Sequence, residues 1–306
     1  MQVIQLTMIR KQLPSVSILL TALETDSKKY LISHLLSITK LNYPKNKIEI
    51  IIRDNGIGKL SRNQVQKSFP RVKIIGQGSN VNFAKGINEA ARKAKGKWLF
   101  ITNPDTLLDP KCLFNIVVEV QKQPNLAIAA PLVYSLKNKK RISTIDLPVS
   151  NLNKSSGNIS NVMPQMLRKF NYPREVNWVS GCAMLTRRDI WSKLKGFDEK
   201  YVVYWEDADF GMRVKKLGFK VIIVPSAIVW HAGSVVYGKE SPQKIYLIIR
   251  NKLIFLNKNL NVFGKLLMHI KNGVVISVKI LKILLGIESA ESKAFIRGII
   301  SFYLHK

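Results

Sequence analysis

Along the first half of the chain, short apolar runs alternate with segments whose apolar positions recur at helical spacing. "SVSILLTA" (15–22) and "KIEIIIRDNG" (47–56) are rich in β-branched residues and end in turn formers, a pattern that predicts buried strands. Between them, "KKYLISHLLSITKLNYP" spaces Leu31, Leu35 and Leu36 helically and stops before Pro44. "RVKIIGQG" predicts a third strand, and "NFAKGINEAARKAKG" a helix closed by Gly96. "KWLFITNPD" (97–105) reads as a fourth strand. Asp109 as N-cap and Pro110 at the first helical position then open a helix over "KCLFNIVVEVQKQ". Strands and helices alternating at this interval imply an α/β fold built on a parallel sheet.

Residues 135–162 break the pattern: they are polar, rich in Ser and Asn, and read as a surface insertion or a mobile loop over a site. Order resumes with "NWVSGCAMLTRRDIWSKLKGFDEKY", a strand followed by a short helix, and then "YWEDADFGMRVKKLG" (204–218). "FKVIIVP" is a further strand, followed by "SAIVWHAGS". The C-terminal stretch "FGKLLMHIKNGVVISVKILKILLG" (263–286) is apolar but interrupted by lysines. On a helical wheel, Lys265, His269, Lys271, Asn272, Lys279 and Lys282 share one half, while Leu266, Leu267, Ile270, Val274, Leu281 and Leu285 share the other. A spanning helix needs about 20 mostly uncharged residues, so this segment is either an interfacial helix or one packed on the sheet domain. The expected division is an α/β domain over 1–260 and a basic amphipathic helical region over 261–306.

Composition narrows the classes. The chain has 306 residues, 46% of them apolar, enough to bury a sizeable core and to exclude global disorder. Its 49 Lys and Arg face 19 acids, a formal charge of +30 that calls for a polyanionic neighbour: nucleic acid, anionic lipid or a phosphate-bearing substrate. No basic stretch with interleaved aromatics and no recognisable nucleic-acid module is present, which argues against the first. The two cysteines, Cys112 and Cys182, have no metal-like spacing, and the N-terminus has no signal-peptide pattern, so a reducing, cytoplasmic setting is expected.

In so basic a chain, Glu206, Asp207 and Asp209 crowd into four positions, with Asp198 and Glu199 just upstream. On a helix over 206–217, Asp207 shares a face with Phe210, Val214 and Leu217, which are core types, so it points inward at the first turn. Asp209 falls on another face, four residues before Arg213, as expected of a solvated ion pair. Asp207 reads either as a first-turn acid complementing the helix dipole or, flanked by Tyr204 and Trp205, as a general base tuned by its surroundings. At the end of the fourth strand, Asn103 and Asp105 either cap a turn or present oxygens to a hard divalent ion shared with a diphosphate. His231, alone after a strand, reads as a satisfied structural histidine or a ligand.

Taken in order, "RDNG" (53–56), "NVNFAKGIN" (80–88), "NPD" (103–105), "SGCAMLTRR" (180–188), "KGFDE" (195–199), "WEDAD" (205–209) and "GFKVIIVPSAIVWHAGS" (218–234) resemble glycosyltransferase family 2, especially its rhamnosyltransferase-like branch. The resemblance spans roughly residues 15 to 260. It implies a GT-A, Rossmann-like fold with a mixed, mainly parallel sheet flanked by helices, followed here by the amphipathic C-terminal appendage. It further implies an inverting enzyme that uses a UDP-, dTDP- or GDP-linked sugar and a divalent metal, Mn2+ or Mg2+. By that resemblance Asp54 contacts the nucleobase, Thr21 and Glu24 lie beside the nucleotide, and Asn103 and Asp105 stand at the metal-binding acidic position. His231 completes the metal site, Asp207 is the base that deprotonates the acceptor hydroxyl, and Gly181, Trp205 and Glu206 lie on the acceptor side. Glu24 replaces the family's usual Asn, "DNGIGKLS" replaces "DNGSTDGS", and Asn82 and Lys85 replace glycines. Lys85 either meets the donor diphosphate or lies on the surface. The expected acceptor is a glycan or a lipid-linked molecule at an anionic membrane surface, on its inner face, with no nucleic acid partner. The rival readings are a non-catalytic glycan- or nucleotide-binding member of the same fold and a basic nucleic-acid-binding protein.

Overall fold

Period-two alternation gives the strands two apolar faces, and each face is covered by helices. The structure, a computed structural model, describes residues 13–138, 142–144, 172–233, 241–285 and 290–304. Its strands are β1 (Val16–Ala22), β2 (Ile48–Asp54), β3 (Val72–Ile75), β4 (Trp98–Thr102), β5 (Thr106–Leu108), β6 (Leu126–Ser135), β7 (Ile142–Thr144), β8 (Arg174–Glu175), β9 (Ala183–Arg187) and β10 (Lys220–His231). Its longer helices are α1 (Ile32–Thr39), α2 (Lys59–Ser68), α3 (Phe83–Lys93), α4 (Cys112–Gln121), α5 (Arg188–Lys193), α6 (Glu206–Lys216), α7 (Pro242–Asn259), α8 (Val262–Leu284) and α9 (Ala290–Leu304). Ile18, Leu20, Ile52 and Phe100 face a cluster with Leu35 and Ile38 of α1 and Ile116 and Val120 of α4. Their neighbours Leu19, Ile51, Leu99 and Ile101 face Ala84 and Ile87 of α3, Trp191 of α5 and Phe210 of α6. Each large aliphatic side chain so buried contributes about 1.5–3 kcal/mol before entropy is counted.

The strand order is β3–β2–β1–β4–β9–β6–β10–β5, with β7 on β6 and β8 on β10. From β3 to β4 all pairings are parallel; β9 then runs antiparallel between β4 and β6, and β5 antiparallel to β10. The longest pairings, β6 with β10 and β1 with β2, are parallel, so by paired length the sheet is mixed and mainly parallel. β2 and β3 lie to one side of β1 and β4 to the other, so the strand order reverses there. The carboxyl ends of β1, β2 and β4 thus border the crevice where open α/β sheets bind ligands.

Several local expectations change. α3 ends at Lys93, and Gly96 is not its cap: its N–H donates to Ser17 Oγ at 2.8 Å, and a Cβ there would lie 2.5 Å from the Ser17 backbone nitrogen. Close approach of β1 and β4, rather than helix termination, requires that glycine. α4 starts at Cys112, because Asp109 closes a turn ahead of it, accepting from Lys111 N through Oδ1 and from Cys112 N through its carbonyl. The two segments after Gly218 form a single strand, β10, with an irregularity between Val224 and Ile228. On α6, Phe210 and Val214 are buried as expected, but Leu217 is 38% exposed, since the helix ends at Lys216 and Gly218 turns the chain at φ 82°. α2 has no forecast in the apolar pattern, because only Val65 is buried on it. Of the polar stretch 135–162, residues 142–144 form β7, while 139–141 and 145–162 lie outside the described residues.

The chain divides into two compact units: Met1–Glu199 with Glu206–Gly233, and Lys200–Trp205 with Ser234–Lys306. The sheet belongs wholly to the first. The second holds α7, α8 and α9. There α7 and α9 approach closely at Gly298, where a Cβ would lie 2.9 Å from Tyr246 O, and Tyr246 Oη lies 2.9 Å from Ser301 Oγ. Among the described residues, no helix is long and apolar enough to cross a membrane.

Candidate active site

At the end of β2, the buried Asp54 organises the turn that follows. Its Oδ1 accepts from Gly56 N at 2.8 Å and Ile57 N at 2.9 Å, and its Oδ2 accepts from Arg62 Nη1 of α2 at 2.5 Å. Arg62 is thus a member of this corner that the sequence reading does not name. Asn55 is also buried there; its Nδ2 donates to Asn82 O at 3.2 Å, while its Oδ1 has no partner among the described residues. Thr21, at the end of β1, is half-buried, and a Cβ at Gly86 would lie 2.5 Å from its methyl carbon, so that glycine lets α3 reach the strand end. Glu24 is exposed, paired with Lys28 at 2.8 Å and close to Gly58. Lys85 is exposed on the first turn of α3.

The Asn103–Thr106 turn follows β4 and carries the buried Asp105. It is braced from behind. Thr106 Oγ1 donates to Asn103 O at 2.8 Å and lies 2.9 Å from Thr102 Oγ1, and His34 Nδ1 donates to Thr106 O at 2.9 Å. Because a carbonyl can only accept, Nδ1 carries the His34 proton, leaving Nε2 buried without a partner among the described residues. Burial lowers the His34 pKa to about 4, against opposing contributions from the Thr106 carbonyl and the Asp105 charge, so the ring is neutral.

In front of the turn, Asp105 Oδ2 lies 3.2 Å from His231 Nε2, at the end of β10. The Cys182 side chain also acts on the His231 ring. Burial works to lower the His231 pKa, but Cys182 and Asp105 outweigh it and hold the imidazole well above its ordinary value. Among the described residues, no three or more His, Cys, Asp or Glu converge on one point. A carboxylate and an imidazole side by side suit a small divalent ion that displaces the imidazole proton, keeps several waters and takes its remaining oxygens from a phosphate. Asp105 and His231 therefore fit such an ion.

Asp207, on the first turn of α6, is half-buried. Gly181 N donates to its Oδ2 at 2.9 Å and Ala208 N to its Oδ1 at 2.8 Å. Burial raises its pKa against those two N–H groups. Glu206 is buried with Oε2 unpartnered among the described residues; burial and repulsion from Asp207 raise its pKa well above the usual range. Both carboxyls are thus pushed toward the protonated form, with two N–H donors opposing the shift at Asp207. Asp209 is not solvated. It is 2% exposed and bonds Arg213 Nε at 2.7 Å, while the same guanidinium donates to Leu194 O and Gly196 O. Those carbonyls need a donor that α5 no longer provides, which is why the ion pair sits inside. Glu199 accepts from Asn88 Nδ2 at 3.0 Å, and Asn88 also exchanges two hydrogen bonds with the Phe197 backbone. Trp205 belongs to the second unit, with its ring 5.2 Å from that of Phe255.

Consecutive residues tie these groups together. Gly181 holds Asp207, and Cys182 touches His231, which in turn meets Asp105. One peptide link thus separates the contacts of Asp207 from those of the His231–Asp105 pair.

A sequence profile described as "Glycosyl transferase family 2" matches residues 17–195, and one described as "N-terminal domain of galactosyltransferase" matches residues 162–232. An N-acetylglucosaminyl-diphospho-decaprenol L-rhamnosyltransferase of Mycobacterium tuberculosis is 23% identical over 228 residues, covering 68% of this chain and 74% of that protein. Among solved structures, GalNAc-T7 with UDP, GalNAc and Mn2+ superposes with a TM-score of 0.61 at 15% identity, over 81% of this chain and 48% of the other, about half its length. The mannosyltransferase PcManGT of Pyrobaculum calidifontis, in complex with GDP-Man and Mn2+, gives 0.59 at 14% identity over 96% and 88%. These likenesses establish the GT-A architecture.

Proposed function

The chain belongs to glycosyltransferase family 2, and from that premise we propose an inverting, metal-dependent transfer of a sugar from a nucleotide-linked donor to an acceptor hydroxyl. Rhamnose is the first candidate sugar, by likeness to the mycobacterial relative. The acceptor is a glycan or a lipid-linked molecule met at the inner face of the membrane, in the synthesis of a cell-surface polysaccharide.

The observation that carries this reading is the Asp207–Gly181–Cys182–His231–Asp105 chain of contacts. The donor nucleotide lies along the carboxyl ends of β1, β2 and β4. Asp54 and Arg62 shape the corner for its base, and Asp105 with His231 holds the divalent ion. When bound, that ion offsets the negative charge that develops on the departing diphosphate. Asp207 takes the proton of the acceptor hydroxyl as that oxygen bonds to the anomeric carbon. The bond from that carbon to the phosphate oxygen breaks, and its electron pair leaves on the nucleoside diphosphate. One displacement inverts the configuration and needs no second carboxylate. Burial strengthens Asp207 as a base, and the Gly181 and Ala208 N–H groups aim it.

Asp207→Asn keeps the shape and removes the base. Its turnover is expected to fall by about 10²–10⁴-fold while calorimetric donor affinity stays within about twofold. Turnover within tenfold of wild type would remove Asp207 from that role.

A further inference from the structure

α8 turns its polar side inward and its apolar side outward, the reverse of a helix packed on a globular unit. Toward α9, His269 Nδ1 lies 2.7 Å from Tyr303 Oη, and Asn272 Nδ2 donates to the same hydroxyl at 3.3 Å. Lys279 Nζ donates to Ser292 Oγ at 2.8 Å and sits over the Phe295 ring. At about 100° per residue these side chains fall on one side of the helix, around the buried Met268. On the opposite side Val262, Phe263, Leu266, Ile270, Val274 and Leu281 are each between 55% and 85% exposed. An apolar arc of this length on the outside costs free energy unless something covers it.

Charge says what covers it. α8 has four lysines and no acid along Val262–Leu284. Lys271 and Lys282 are exposed and border the apolar arc. Lys252 of α7 lies near Lys271; burial first, and the Lys271 charge second, hold its ammonium below the ordinary lysine range. No ion pair among the described residues involves Lys252, Lys271 or Lys282. Two copies of this face brought together would juxtapose lysines with no acid on either helix to pair them. A surface of phosphate-bearing lipids supplies both the apolar bed and the missing anions.

We propose that the outer face of α8 docks on an anionic lipid surface. The helix lies in the plane of the interface, its 23 residues covering about 35 Å. Its apolar arc enters the acyl boundary, and Lys271, Lys282 and Lys252 stand at the level of the phosphates. This deepens the proposed function and rests on it for the lipid-linked acceptor that such docking would bring within reach.

The test is flotation of the full chain with vesicles of phosphatidylcholine alone or with about a third phosphatidylglycerol. The wild type is expected to float with the anionic vesicles and about tenfold less with the neutral ones. The Leu266→Glu/Ile270→Glu variant should lose about tenfold of that binding with its circular dichroism and donor-induced thermal shift unchanged. Lys271→Glu/Lys282→Glu should lose the preference for anionic lipid. The proposal is overturned if the wild type stays in solution, or if the Leu266→Glu/Ile270→Glu variant floats equally well. It is also overturned if the wild type is a dimer by light scattering that this variant splits. A chain that floats but transfers no sugar keeps the docking face and removes the catalytic reading; transfer without flotation does the opposite.

Discussion

Glu206 and Asp207 share one turn of helix, and burial pushes both carboxyls up, Asp207 against the Gly181 and Ala208 N–H groups and Glu206 further by repulsion from Asp207. His34 is another residue whose titration is shifted by burial. Its pKa falls from 6.5 to about 4, so between those values the unfolded chain binds a proton that the folded chain refuses. The contribution is fully present above pH 6.5 and is lost as pH falls toward 4, about 3 kcal/mol in all. His34→Asn keeps a donor for Thr106 O but cannot titrate. Denaturant unfolding across that pH range should therefore give the variant a stability slope shallower by about that amount; parallel slopes would mean that the ring titrates normally. At this scale the sequence names Asp105, His231, Gly181 and Asp207 as candidates by residue type and motif, and the fold brings them together. Asn55 lies within the quoted "RDNG", but Arg62 and His34 carry no such signal, since each matters only through a partner that folding brings to it.

Among the elements, the loop before α6 is the most constrained. Val202, Tyr204 and Trp205 all have φ between 66° and 74°, a region that costs a non-glycine residue about 1–3 kcal/mol. The fully buried Asn251 of α7 offsets this by directing Nδ2 at the carbonyls of Tyr201, Val203 and Tyr204, at 2.5, 2.8 and 2.9 Å. Asn251→Ala leaves those carbonyls without that donor and should cost about 3 kcal/mol or more, read as a lowered denaturation midpoint with an unchanged m-value. A loss below about 0.5 kcal/mol would show that the loop holds itself. Nothing in "YVVYW" announces this conformation, because β-branched and aromatic residues ordinarily avoid it. The strands, by contrast, are legible, since burial on both faces demands unbroken apolar runs.

For the molecule as a whole, ligand binding and stability are linked. At about 100 times its dissociation constant a nucleotide sugar should stabilise the fold by roughly 2.7 kcal/mol, and a thermal-shift panel of UDP-, dTDP- and GDP-sugars with and without Mn2+ reads this directly. Asp105→Ala should abolish the manganese-dependent part of the shift and leave the metal-free part; an unchanged manganese response would remove Asp105 from the ion site. Period-two apolar runs, helical spacing and turn residues determine the α/β class and the family motifs in this sequence, because those signals are local and every residue carries its own share. Only the tertiary structure decided that Asp209 is buried and that Glu206 Oε2 has no partner among the described residues. It alone put Asp207 and His231 on neighbouring residues of one peptide and the apolar side of α8 outward. Each of these depends on which distant groups the folded backbone brings within hydrogen-bonding distance, and no local pattern encodes that.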